Sequence, residues 1–160
     1  MIGRPRARRV TLAALLGLAT LLPATTTTHA QSGLPSGCQS VGGAFLANFI
    51  DPKTGVAVLT GDLNGSVRGL LLKSAHDANG TLHFTLAHVI VMTSGDTMRT
   101  SDQSVLTPVG DNVYFWRQTQ TIVGGAGRFS GATGTLREFG ALDLGTGQGI
   151  LRYGGDVCYT

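Results

Sequence analysis

The sequence predicts an all-β protein: a single antiparallel barrel of eight strands, closed on itself, with its two ends joined by a disulfide. Three observations carry this expectation. Short runs of β-forming residues alternate with turn signals along the whole chain after its first forty or so residues. Glycine is dense, with 24 in the chain and only Gly3 and Gly17 before residue 31, more than twice the usual share of about 7% over the remainder. Helix-period apolar stripes are absent, because glycine interrupts every window long enough to hold one.

Strands are expected at 44–50, 56–61, 66–74, 81–93, 96–107, 112–123, 127–139 and 147–157. The signals between them are Asp51 to Gly55, Asn64-Gly65, Asn79-Gly80, Ser94-Gly95, Gly110 to Asn112, Gly124-Gly125 and Gly145 to Gly147. Asn-Gly accepts the positive φ angles of a type I′ turn, so 64–65 and 79–80 read as tight hairpins. Short connections make neighbours antiparallel. A meander of about eight strands closes into a barrel, which also removes the exposed edges that invite aggregation.

Side-chain alternation supports strands in two places. Over 81–92 one face carries Leu82, Phe84, Leu86, His88, Ile90 and Met92, and the other begins Thr81, His83, Thr85 and Ala87. Over 112–122 one face holds Tyr114, Trp116, Gln118, Gln120 and Ile122, and the other holds Val113, Phe115, Arg117, Thr119 and Thr121. Both of these faces are partly apolar, so the pattern does not choose the inner one.

The first thirty residues have the three parts of a secretory signal: Arg4, Arg6, Arg8 and Arg9 in a basic start, an apolar core from about Leu12 to Leu22, and a small-residue end at Ala30. The expected organisation is therefore a signal over 1–30, a short lead-in over 31–37 and the barrel over 38–160, in a protein that is secreted or periplasmic. The apolar core is shorter than the roughly 20 residues that span a bilayer, so no membrane attachment is expected after cleavage. The formal charge of +3 resides in that leader. Without its four arginines, eight Lys+Arg face nine Asp+Glu in the rest of the chain, a net charge of −1. The domain is not basic, and no nucleic-acid partner is expected. Cys38 and Cys158 are an even pair in an exported chain, which favours a disulfide over a reactive thiol.

The segment Ile122-Val123-Gly124-Gly125-Ala126-Gly127-Arg128-Phe129-Ser130-Gly131-Ala132-Thr133-Gly134 is the densest glycine run. Its glycines (Gly124, Gly125, Gly127, Gly131 and Gly134) read as structural, allowing a tight turn, a bulge and strong strand coiling. Phe129 and Arg128 are then expected to alternate across a strand, one in the core and one at the rim. A dinucleotide loop is excluded by the spacing and by the β-rich segment that follows. The same segment resembles the Gly-Gly-Thr-Gly-Arg-Phe-(x)-Gly-Ala-Thr-Gly signature of allene oxide cyclase-like and dirigent-like β-barrels. It is similar in particular to exported bacterial members, which follow it with a strand ending in cysteine, as Tyr153 to Cys158 does here. Thr100-Ser101-Asp102 and Gly61-Asp62-Leu63-Asn64-Gly65 share that likeness; Ala126, where the signature usually has a hydroxyl residue, departs from it. The resemblance implies an eight-stranded barrel with a small interior, able in some relatives to hold an apolar ligand.

Chemistry is thinly marked. His76, His83 and His88 assemble no metal-ligand set, since His83 and His88 have opposite parity on one strand, so no metal and no cofactor are expected. No nucleophile motif occurs, and Glu138, the only Glu, has no Asp partner selected by spacing. Arg99 and Asp102 read as surface or rim charges. The candidate pocket residues are His88, on the apolar face of a long strand, and Tyr114 and Trp116, which share a face. His88 is also the candidate acid–base group. The leading functional reading is a secreted barrel that binds a small apolar or aromatic molecule without turnover. The alternatives are an isomerase or cyclase acting inside that barrel, and an extracellular interaction or inhibitor module using loops at one barrel end.

Overall fold

The computed structural model describes residues 37–160. The expected signal and nearly all of the lead-in lie outside the described residues. Eight strands follow one another: β1 (Cys38–Phe49), β2 (Thr54–Gly61), β3 (Gly65–His76), β4 (Leu82–Met92), β5 (Thr97–Gly110), β6 (Val113–Ala126), β7 (Thr133–Asp143) and β8 (Gln148–Cys158). Each pairs antiparallel with the next, and β1 closes on β8, so the barrel is complete and has no free edge.

The seam between β1 and β8 starts at Cys38, which is the register partner of Cys158. The two form a disulfide across 120 residues of sequence, so the covalent link and the last ladder of the barrel fasten the same place.

Alternation sends one face of every strand inward. Phe45 (β1), Leu59 (β2), Val67 (β3), Ile90 (β4), Leu136 (β7) and Leu151 (β8) lie in one core. On β6 the inner face is the one bearing Trp116, Gln118, Gln120 and Ile122, while Phe115 and Arg117 point out.

Two turn expectations are corrected. A type I′ turn needs positive φ at both central residues, yet Asn112 is the one non-glycine residue with positive φ among those described. Asn64 instead donates from Nδ2 to the Gly61 carbonyl at 2.7 Å, and Asn79 Oδ1 accepts from the Thr81 amide at 3.1 Å. Both connections are longer loops held by a side chain.

The glycine-rich segment is also arranged differently from expectation. Gly124-Gly125 is not a turn, because β6 runs on to Ala126 with a bulge: Arg99 pairs with Gly124 and Thr100 with Ile122, leaving Val123 unpaired. The chain reverses later, through a 3-10 turn over Gly127–Phe129, and β7 begins only at Thr133. Arg128 and Phe129 therefore do not alternate on a strand. Gly127, at φ +64, lies against Asp96, where a Cβ would come within 1.9 Å of the carboxylate. Asp96 accepts from the Ser94 hydroxyl and the Arg128 amide, and these bonds, the Ser94 one foremost, hold its pKa below the usual range.

This turn seals one end of the barrel. Phe129 is fully buried beneath it. Leu63, from the β2–β3 loop, is equally enclosed, and its backbone amide donates to the Tyr153 hydroxyl at 3.0 Å. The opposite end, where the β1–β2, β3–β4, β5–β6 and β7–β8 loops gather, is the more open and is called the mouth below.

Candidate functional site

The interior changes character around its circumference. On β1 to β3 the inward side chains toward the mouth are Phe45, Phe49, Ala57 and Val67, and Gly69 supplies no side chain. On β4 to β7 a belt of polar residues crosses the middle of the core. His88 (β4) is 5% exposed, Asp102 (β5) 0%, Gln120 (β6) 0% and Glu138 (β7) 2%. Buried polar groups are costly unless they find partners, and register sets several of them side by side here. Asp102 pairs with Gln120, Ser104 with Gln118, and Gln118 with Glu138.

The resulting contacts form two short chains. His88 Nδ1 meets Asp102 Oδ2, with Gln120 Nε2 3.4 Å from the same ring nitrogen. Ser104 donates its hydroxyl to Gln118 Oε1, and Gln118 Nε2 donates to Glu138 Oε2 at 3.1 Å. Burial, reinforced by the charge of Asp102, pushes the Glu138 carboxyl up to about 8. At neutral pH Glu138 is therefore largely protonated, which spares the interior a second carboxylate charge beside Asp102. Asp102 Oδ1, Gln120 Oε1, Glu138 Oε1, Thr100 Oγ1 and Trp116 Nε1 are buried with no hydrogen-bond partner among the protein atoms.

With Asp102 accepting at Nδ1, the ring of His88 is fixed and its other nitrogen is directed across the barrel. Nε2 lies over Gly69, so closely that a Cβ there would come within 2.6 Å of it. Phe45 meets the imidazole edge-on, with centroids 5.9 Å apart. His88 and Trp116 thus border one narrow cavity, whose other walls are largely hydrocarbon and whose rim includes Lys53. The cavity is small, with a volume of about 10 Å³. That is room for roughly one water, so the interior in this conformation is close to packed.

Phe49 stands at the mouth of this cavity. Its ring packs on Trp116 with centroids 6.0 Å apart. The same residue also borders a groove outside, between the β1–β2 and β7–β8 loops, with a volume near 350 Å³. One half-buried phenyl ring therefore separates the inner space from the outer.

Of the residues selected from sequence, the structure brings His88 and Trp116 to the cavity and leaves Tyr114 aside. Tyr114 is on the inner face of β6 and packs against the core, half-buried, but does not border this space. His83 is exposed and bonds Asp77 at 3.0 Å. Asp102 is a correction: it is not a rim charge but the fully buried partner of His88. Its parity with Thr100 and Ser104 was visible, yet a run of polar residues on both faces of β5 gave no sign of which face was inner. Among the described residues no group of three or more His, Cys, Asp or Glu side chains converges on a metal-sized position.

The fold and the site together define a closed eight-stranded antiparallel barrel with a narrow, mainly apolar cavity at one end and a polar belt beneath it. Among solved structures the chain is similar to that of the pterocarpan synthase dirigent protein GePTS1, with 17% identity over 81% of this chain and 99% of that one, at a TM-score of 0.30. A likeness of that size says nothing of what this barrel binds. No family model and no curated relative matches the sequence.

Proposed function

We infer that this barrel is an exported receptor for a small, flat apolar or aromatic molecule, held at the mouth end without turnover. The observation that carries the reading is the composition of the cavity wall: hydrocarbon and aromatic side chains on most sides, and one imidazole edge oriented by a buried carboxylate. Ligand sites combine these features, an apolar body for affinity and a few fixed polar groups for orientation. The indole N–H of Trp116, buried without an acceptor, is a second polar group on the same wall.

Because the closed cavity holds about one water, entry requires the Phe49 ring to leave its place against Trp116. The ring of the guest then takes over that aromatic contact. Phe49 is the last residue of β1, beside the β1–β2 loop, so it can rotate outward without breaking the ladder.

Trp116 is the chain's only tryptophan, so its fluorescence reports directly on the cavity. Titration with toluene is expected to give a saturable change in Trp116 emission, with one site per chain by calorimetry. The absence of saturable binding of toluene and of indole would overturn the reading.

A second reading is supported by one specific observation, the His88–Asp102 pair. A histidine whose Nδ1 is held by a carboxylate and whose Nε2 borders a cavity is equipped for proton transfer. In that reading the barrel is an isomerase or cyclase, and His88→Gln abolishes conversion while leaving the binding of toluene in place.

A further inference from the structure

Charge is segregated on the outside of this barrel. Arg68, Arg99, Arg117, Arg137 and Arg152 are all exposed on strands and form its side wall. The exposed acids lie toward the two ends, Asp51, Asp77 and Asp111 at the mouth and Asp62 near the sealed end, while Asp143 at the mouth is half-buried. Lys53 lies in the β1–β2 loop and Lys73 on β3 toward its mouth end, so the cations on β4 to β8 are all arginines.

The arrangement is densest on β6 to β8. Phe139 of β7 is the register partner of Arg117 on β6 and of Arg152 on β8, so a phenyl ring stands between two guanidinium groups in one cross-strand row. The flanking backbones are two strand spacings apart, about 10 Å, and Arg137 is on the same face two residues along β7, about 7 Å away. Phe139 is 53% exposed and Phe115, on the same outer face, 39%. Among the described residues no carboxylate lies within 4.0 Å of Arg117, Arg137 or Arg152. Two shallow grooves flank the Phe139 ridge. One, near 520 Å³, is floored by Gly43, Gly61 and Gly154 beside Arg152, and the other, near 500 Å³, is walled by Phe115 and Val105 beside Arg117.

We propose that this face of the barrel, centred on Phe139 and framed by Arg117, Arg137 and Arg152, is a docking surface for a protein partner that presents carboxylates around an apolar recess. Three unpaired guanidinium groups call for an anionic occupant, and the protruding phenyl ring calls for an apolar seat in the middle of it. An aromatic anchor with arginines and no lysine is the composition of a protein–protein interface core. Arginine suits that role because its planar fork matches the two oxygens of a carboxylate in two-point contact and is weakly hydrated. Bilayer hydrocarbon is a poor occupant, since each outward guanidinium near the midplane costs about 2–4 kcal/mol. The surface is separate from the cavity, so the proposal does not depend on the interior reading.

The test uses the full disulfide-closed protein and four soluble probes: a glutamate–tyrosine copolymer, polyglutamate, heparin and oligothymidine. The copolymer is expected to bind about tenfold more tightly than polyglutamate, and more tightly than heparin or oligothymidine. Phe139→Ser removes the advantage of the copolymer, Arg117→Gln with Arg152→Gln weakens both acidic polymers about tenfold or more, and Arg68→Gln on the far wall changes neither. All four positions are exposed, and unchanged melting temperatures confirm that each variant is folded. Failure of the copolymer to bind overturns the proposal. Equal or tighter binding of heparin or oligothymidine overturns it in favour of a general polyanion surface. Self-association without any probe, abolished by Phe139→Ser, overturns it in favour of a second copy of this chain.

Discussion

The imidazole of His88 and the carboxylate of Asp102 meet inside the barrel, on neighbouring strands, with Nδ1 of the one against Oδ2 of the other. They are not direct register partners: His88 faces Thr100 and Asp102 faces Leu86, so the contact is a diagonal one between inward side chains. Burial of both residues makes the pair expensive to break from one side only.

Removing the acid alone shows this. Asp102→Leu leaves the buried imidazole of His88 without its carboxylate partner, and is expected to destabilise the fold by about 3–5 kcal/mol. The double variant His88→Phe with Asp102→Leu is expected to lose less than the sum of the single changes. Urea unfolding of the four proteins of this cycle measures the difference.

Glu138 gives the barrel an alkaline weakness. Its carboxyl titrates at about 8 in the folded state, against 4.5 for the ordinary group. The unfolded chain therefore releases this proton first as pH rises. The stabilising contribution is fully present below about 4.5, shrinks through the neutral range and is lost above about 8. Glu138→Gln, which keeps the shape without the proton, is expected to flatten that slope, as read from urea midpoints between pH 5 and pH 9.

The Cys38–Cys158 bridge closes a loop of 120 residues. Chain entropy assigns such a loop about 4–5 kcal/mol. The paired Cys38→Ser, Cys158→Ser variant is expected to keep the barrel but to lose most of that stability, with β1 and β8 losing amide-exchange protection first. Unchanged stability would mean that the β1–β8 ladder closes the barrel unaided.

Gly69 is a way to close the cavity from inside. A methyl group there would lie within 2.6 Å of His88 Nε2, so Gly69→Ala displaces the imidazole edge from the cavity wall. Toluene binding is expected to fall at least tenfold, while Phe49→Ala, which removes the ring at the mouth, raises it and costs about 2–3 kcal/mol of stability. Calorimetric titration of both variants decides the pair.

Much of this architecture was legible before the structure. Strand count, closure and the disulfide follow from glycine-punctuated β-runs and an even cysteine pair, because those signals are local. The apolar face of β4 stood out too, since Leu82, Phe84, Leu86, Ile90 and Met92 alternate cleanly, and the structure turns that face inward. The polar belt was not. Asp102, Gln118 and Gln120 lie on strands whose two faces look alike in sequence, and polar residues ordinarily mark the outside. Only the register across β5, β6 and β7 brings them together. The place of the glycine-rich turn was missed for a related reason: one bulged residue, Val123, moves the reversal from Gly124-Gly125 to Gly127.

The most direct measurement is a crystal structure of the protein grown or soaked with 4-bromotoluene, located by the anomalous signal of bromine. One bromine site is expected inside the mouth, with the ring stacked on Trp116 in place of Phe49 and in contact with His88. A cavity still filled by Phe49, with bromine absent or confined to the outer wall, would contradict it.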